Sequence, residues 1–472
     1  MVDLELAYLS ARDVAARIRD REISPVEYVR NALERIDTVN DKLNCFCFVY
    51  HEEALAAALA AEKAVMAGDP LGPLHGVPIA FKDMTPTKGR RTTLGSYAFE
   101  HWVPDHDAVI VERLLAAGAI MVGKTTTPEF ASIGFTESPL WGVTRNPWNP
   151  ARTSGGSSGG SGVAVATGCV PIAEGSDMGG SVRIPAACCG TIGLKPSMGR
   201  IPFDILPSMF DSYCHFGPLA RNVDDAALFL SLAQGHDDRD LMSLPGRLDL
   251  PDHIVPRVEG MRIALSVDLG YYAVDPGVAA NLLAVAEVLR GMGARVEEVP
   301  LGLTREVNDV GYEHWNVYFS AFAGPLVERW GHAMHPLVLK MVEDGNAMDG
   351  ASFKKLEFAR SRLWHTFRPV FANHEALLCP TMSIPAPATG LNDLDFGTTD
   401  ADGRFHQYEM TFPFNLFSPC PAISMPSGFI EGLPTAVQIV GRPYDDLTVL
   451  AVAAAIEAGT PWLSMRPPLR VS

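Results

Sequence analysis

Residues 153–162 read "TSGGSSGGSG", and two readings of that stretch lead to different proteins. As a slack Gly/Ser tether it separates two domains, because such tracts behave as flexible coil. As a backbone shape that only glycine and serine adopt, it belongs inside one compact site. The residues that follow decide the matter. "VAVATG" (163–168) continues at once as an apolar, small-residue helical run, and "CVPIAEGSDMGGSVRIPAACCGTIGLKPSMGR" (169–200) is a second glycine-dense segment interleaved with apolar residues. Two glycine-rich turns bracketing a buried helix read as a site rather than a linker.

Upstream, the first hundred residues are mostly helical in pattern. "SARDVAARIRDREIS" sets Val14 and Ile18 on one face behind the cap Ser10, and "SPVEYVRNALERIDTVN" repeats the device with Ser24 before Pro25. Alanine-rich "EEALAAALAAEKAVMAG" ends at Gly68. "GPLHGVPIAFKDM" is a short apolar run between Gly and Pro, a strand with Lys82 near its end.

From Asp107 the pattern alternates. "DAVIVERLLAAGA" has the helical period and "IMVGKT" is a buried strand; "DDAALFLSLAQG", "MRIALSV" and "PGVAANLLAVAEVLRGMGARVEEVPL" continue the alternation. Residues 305–370 are helical and aromatic, after which "ALLCPT", "PAISMPSG" and "TAVQIVG" return to strands. Repeated helix–strand units predict an α/β fold, a sheet with helices on both faces.

Composition narrows the function classes. The 472 residues are 47% hydrophobic and 20% charged, as in an ordinary globular chain. A net charge of −17 repels phosphate backbones and anionic membranes, so nucleic acid is not an expected partner. The eight cysteines form no CxxC pair and lie mostly in apolar runs, which predicts buried reduced thiols rather than disulfides or a zinc site. "MVDLELAYLSARDVAARIRDREISP" carries charge throughout and lacks a signal-peptide core, and no run of about 18 apolar residues occurs. A cytoplasmic location without a membrane partner is the expectation.

Three chemistries compete for the glycine-serine segment. Gly-rich turns at helix starts can cradle phosphate, but no lysine follows these glycines as in a P-loop, and GxGxxG is absent. Gly156, Ser158 and Gly160 have the GxSxG spacing of a nucleophile elbow. That reading also needs an acid and then a histidine downstream, for which the thirteen histidines offer no context. The third is a serine activated by lysine, which acts as a base only where burial disfavours its charge. Lowering a lysine pKa from about 10.4 to near 7 or 8 takes roughly 3–5 kcal/mol. Lys82, at the end of an apolar strand, suits that role, although a lone lysine is ordinarily a surface charge.

At the level of whole motifs, "GGSSGGSGVAVATGCVPIAEGSDMGGSVRIPAACCGTIGLKPSMGR" (155–200) resembles the signature of the amidase signature family. The resemblance extends to "GPLHGVPIAFKD", "GKTTTPEFA", "WGVTRNPWNPART", "GPLARNVDDAALFL" and "PCPAISMPSGFIEGLPTAVQIVG", in that order. It covers nearly the whole chain, residues 300–370 being least diagnostic. It implies a large twisted mixed β-sheet covered by helices on both faces. It further implies a single amidase domain over 1–472, with N-terminal helices at 1–70, the signature core at 71–240 and a variable helical substrate-pocket region at 300–370.

The resemblance also implies a Ser–cisSer–Lys triad of Ser181, Ser157 and Lys82, with a non-proline cis peptide at Ser157. Ser181 would attack the amide carbonyl, and Ser157 would pass protons between it and neutral Lys82. The backbone N–H groups of Met178, Gly179, Gly180 and Ser181 are the oxyanion donors it suggests. Asp177, Arg183 and Ser158 take supporting places, Arg183 either holding the cluster or neutralising an acidic substrate. Ser176 stands where threonine is usual, and Met178 where threonine or isoleucine is common.

Within the family, "GASFKKLEFARSRLWHTFRPV" (350–370) does not resemble the arginine-rich helix expected of the glutaminase subunit of a tRNA-dependent amidotransferase. A stand-alone amidase is therefore the expectation, with aryl amides or anilides as substrates and esters and carbamates reachable through the same tetrahedral chemistry. "GYEHWNVYFSAFAG" carries Tyr312, Trp315, Tyr318, Phe319 and Phe322. That run suits an apolar or aryl pocket and equally suits helix-core packing. No metal or cofactor is expected; the partners are a small-molecule amide and water, and a homodimer is left open.

Overall fold

The strand-like runs converge on one sheet of eleven strands in the computed structural model, which describes residues 2–460, 462 and 465–469. In chain order these are β1 (Phe46–Val49), β2 (Pro78–Lys82), β3 (Ile120–Thr125), β4 (Ile172–Asp177), β5 (Ile192–Lys195), β6 (His215–Ala220), β7 (Arg262–Leu265), β8 (Arg295–Glu298), β9 (Ala376–Pro380), β10 (Ala422–Ile430) and β11 (Leu433–Gly441). Across the sheet they run β1-β3-β2-β4-β6-β5-β10-β11-β9-β7-β8. β2 lies parallel to both β3 and β4, and β7 parallel to both β8 and β9. The intervening pairs from β4 to β9 are antiparallel, so the sheet is mixed.

Alternation along β2 assigns the two faces. Ile79 and Phe81 enter one core with Ile110, Phe229 and Ile456, whereas Ala80 enters a second core with Val163 and Val165. Successive side chains of a strand point to opposite faces, so helices cover both sides, as expected. Lys82 has the phase of Ala80 and falls on the side of the helix Gly159–Ala166, every residue of which is buried.

The helix limits follow the cap residues. Ser10 Oγ accepts from Asp13 N ahead of α1 (Ala11–Arg19), and Ser24 Oγ accepts from Val26 N and Glu27 N ahead of α2 (Pro25–Leu43). α3 (His51–Ala67) ends at Gly68 in the left-handed conformation. Between α2 and α3 the structure departs from the helical reading of this region. Asn44 turns left-handed at φ 53, and the aromatic-rich Phe46–Val49 pairs antiparallel with β3 as a sheet edge.

All eight cysteines are free thiols. Among the described residues, no helix is long and apolar enough to cross a membrane.

Candidate active site

Lys82 ends β2 with no solvent exposure. Its Nζ donates to Ser157 Oγ at 2.6 Å and to Ser176 Oγ at 3.0 Å. Its backbone N–H donates to the buried Glu174 at 2.8 Å. Burial denies the ammonium its hydration and brings the Lys82 pKa down to about 7, although the charges of Glu174 and Asp177 oppose the shift. Ser176 supplies a second hydroxyl that holds the lysine.

The Gly156–Ser157 peptide is cis. The Gly/Ser stretch is buried throughout and leads straight into the helix Gly159–Ala166. At Gly160 a Cβ would lie 2.5 Å from Cys45 O and 2.5 Å from Thr126 N, so only glycine lets this helix start meet the neighbouring backbone. Ser158 Oγ accepts from Ser176 N at 3.3 Å, and Ser158 N donates to Ser181 O at 3.1 Å. Ser158 thereby ties the segment to β4 and to the Ser181 turn.

Ser181 is 8% exposed and shares a void of about 30 Å³ with Ser157, Ser176 and Met178. Lys82 and Ser157 are in direct contact. Ser181 faces the same void without a side-chain hydrogen bond to Ser157 among the described residues.

Of the four expected oxyanion donors, Gly180 N–H is already taken by Asp177 Oδ1 at 2.9 Å. This corrects the sequence reading and leaves Met178, Gly179 and Ser181 as the N–H groups of the four without a hydrogen-bond partner among the described residues. Asp177 also accepts from Val182 N and Arg183 N and pairs with Arg183 Nε at 3.0 Å, both side chains being wholly buried. Burial alone would push the Asp177 carboxyl up; the Arg183 charge and hydrogen bonds, with Asn415, outweigh it and hold the group ionised well below the usual carboxylate range.

Arg183 further donates to Thr411 O, Gln438 Oε1 and Asn415 Oδ1. A guanidinium so enclosed cannot meet a substrate, so of the two roles expected for it only holding the cluster survives.

Two larger cavities flank the void. One of about 320 Å³ reaches Ser181, Gly179, Tyr312, Glu409 and Gln407; the other, of about 900 Å³, is lined by Met178, His314, Tyr318, Phe353 and Trp364. Trp315 and Phe412 line both. Trp315 is held by donation from its indole N–H to Ser132 O at 3.2 Å. Tyr312 donates to Glu409 at 3.1 Å, and Tyr318 stacks on Phe322 at 5.7 Å. Phe319, 1% exposed, is mainly a packing residue whose edge reaches the void.

Glu174, Glu409, Thr411, Phe412, Asn415 and Gln438 were not found from the sequence. A carboxylate inside the apolar strand "PIAEGSD" was the one usable signal, for Glu174; the others lie far downstream and meet the site only through the permuted strand order.

Known proteins match nearly the whole length of the chain. The family described as Amidase matches residues 27–450. Over 493 residues the chain is 34% identical to a glutamyl-tRNA(Gln) amidotransferase subunit of Chloroflexus aurantiacus, covering 99% of this chain and 100% of that protein. It is 33% identical over 475 residues to an acylamidase of Rhodococcus erythropolis, covering 99% of this chain and 98% of that one. Among solved structures it resembles a bacterial aryl acylamidase of the amidase signature enzymes, with a TM-score of 0.91 and 30% identity over 96% of this chain and 97% of the other.

Proposed function

Since this chain belongs to the amidase signature family and is an amidase, acting on linear amide C–N bonds, we propose that it works as a stand-alone hydrolase of aryl or apolar amides through a Ser181 acyl-enzyme. The observation that carries the proposal is the 2.6 Å contact between buried Lys82 Nζ and Ser157 Oγ. A neutral lysine so placed accepts a proton through Ser157 as Ser181 Oγ attacks the carbonyl carbon. It returns that proton to the departing nitrogen, which is a poor leaving group until protonated. Water then reverses the relay and releases the acid. The free N–H groups around Gly179 face the oxygen on which negative charge develops.

The stand-alone reading is supported by the walls of the larger cavity. Trp315, Tyr318, Phe353, Trp364 and Phe417 make it aromatic. Its arginine, Arg360, already donates from Nε, Nη1 and Nη2 to Leu416 O, Ser212 Oγ and Ser418 Oγ. It is therefore braced on the protein rather than free to grip an amino-acid carboxylate. Esters and carbamates, which pass through the same tetrahedral species, are expected secondary substrates.

The test is hydrolysis by the purified chain alone, assayed on aryl amides, alkyl amides and glutamine, beside Ser181→Ala and Lys82→Ala. Aryl amide turnover that vanishes in both variants is the expected result. Turnover of glutamine only, or none without added subunits, would favour the glutaminase subunit instead. Equal rates in wild type and both variants would remove the triad.

A further inference from the structure

The Gly179–Gly180 peptide is gripped at both ends. Its N–H donates to Asp177 Oδ1 at 2.9 Å, and its carbonyl accepts from Thr411 Oγ1 at 2.7 Å. Thr411 O in turn accepts from Arg183 Nη1 at 3.0 Å, and Arg183 pairs with Asp177. These three residues and the peptide unit between them close a ring. Nothing intrinsic would hold that unit still: Gly180 sits at φ +129, where glycine rotates at little cost. The approach is also tight, since a Cβ on Gly180 would lie 1.9 Å from Thr411 Oγ1 and one on Gly179 would lie 2.9 Å from the Phe412 ring.

Thr411 is itself fixed. Glu409 Oε2 accepts from Thr411 N at 3.0 Å and Phe412 N at 3.1 Å, and lies 3.0 Å from Thr411 Oγ1, whose one proton is given to the nearer Gly179 carbonyl at 2.7 Å; Glu409 Oε1 accepts from Tyr312 OH at 3.1 Å. One carboxylate therefore sets the turn that carries both the hydroxyl on the Gly179 carbonyl and the ring on the Gly179 Cα.

We propose that Thr411, held by Glu409, is a positioning residue of the oxyanion turn, locking the Gly179–Gly180 peptide so that the flanking N–H groups of Gly179 and Ser181 aim at the reacting oxygen. The inference rests on the Ser181 reading given above. An oxyanion site works because its donors are oriented before charge develops, so loosening the turn weakens transition-state binding more than substrate binding.

The experiment compares Thr411→Val, which keeps the shape and removes the hydroxyl, with Thr411→Ser and Ser181→Ala. The readouts are kcat, KM, thermal midpoint and inhibition by an aryl trifluoromethyl ketone, which forms a tetrahedral adduct with a nucleophilic serine. T411V should lose about 10- to 100-fold in kcat with KM within about twofold, and bind the ketone weaker by the same factor as kcat/KM. T411S should recover most of both. A T411V enzyme with wild-type kcat beside an inactive S181A overturns this inference alone, whereas an active S181A overturns the reading of the site. If T411V fails to fold while T411S folds, Thr411 serves the fold rather than the turn, and the proposal falls.

Discussion

Glu174 accepts the backbone N–H of Lys82 at 2.8 Å, while Lys82 Nζ bonds to hydroxyls, Ser157 at 2.6 Å and Ser176 at 3.0 Å. The ammonium thus has hydrogen-bond partners without a carboxylate in direct contact, and burial prevails in setting its pKa near 7. A base acts only when deprotonated, so kcat/KM should rise with pH through a midpoint near 7 and level off above it. A pH–rate profile of the wild-type enzyme on a neutral amide checks this. A flat profile between pH 5 and about 9 would mean that Lys82 is not the titrating base.

The same burial makes Lys82 a stability cost. Its folded pKa lies below the ordinary 10.5, so between about 7 and 10.5 the unfolded chain binds more protons than the folded one. Stability from this group therefore rises with pH across that window and is least below it. Lys82→Met should abolish turnover yet raise the thermal midpoint at pH 6. The gain should shrink as the pH approaches the unfolded lysine value. Each unit of depression is worth about 1.4 kcal/mol, so an unchanged midpoint at pH 6 would contradict the assignment of burial as the cause.

The placement of Lys82 at the end of an apolar strand was legible from the local run alone, whereas its part in a triad came from the family resemblance. Arg183 was only half legible: its charge fits a substrate clamp and a scaffold equally, and what separates them is total burial against Asp177, Thr411, Asn415 and Gln438. Those last three partners lie beyond β9, and the sheet brings them back by seating the β10–β11 hairpin between β5 and β9, strands far apart in sequence. Local pattern carries no record of that permutation. The aromatic run from Tyr312 to Phe322 was ambiguous because one helical period serves both purposes. Trp315 faces the cavities, whereas Phe319, four residues on, is packed in the core.

The Asp177–Arg183 pair should be indispensable to folding. Removing one partner strands the other's charge in the interior, at a typical cost of about 3–5 kcal/mol. Arg183→Lys should not restore it, because an ammonium cannot span Asp177, Asn415, Gln438 and Thr411 as the planar fork does. Chemical denaturation of R183K and D177N measures this; a loss below about 1 kcal/mol in both, the range of exposed pairs, would show that the ring carries little of the stability.

Trp315 forms part of the wall shared by the two cavities, the smaller of which reaches Ser181, and lies edge-on to Phe412 with ring centroids 6.1 Å apart. Its indole N–H is fixed on Ser132 O, so the ring is a rigid partition rather than a mobile gate. Trp315→Ala should merge the cavities and remove a flat surface on which an aryl group rests, lowering the kcat/KM ratio of aryl over alkyl amides by roughly tenfold, the scale of hydrophobic-pocket discrimination. Trp315→Phe keeps a ring and should retain most of the preference. Both variants give up the Ser132 hydrogen bond, so a common loss of stability cancels in the comparison and the substrate ratio isolates the wall. An unchanged ratio in W315A would assign Trp315 to packing, alongside Phe319, and move the search for the specificity wall to Tyr318 and Phe353.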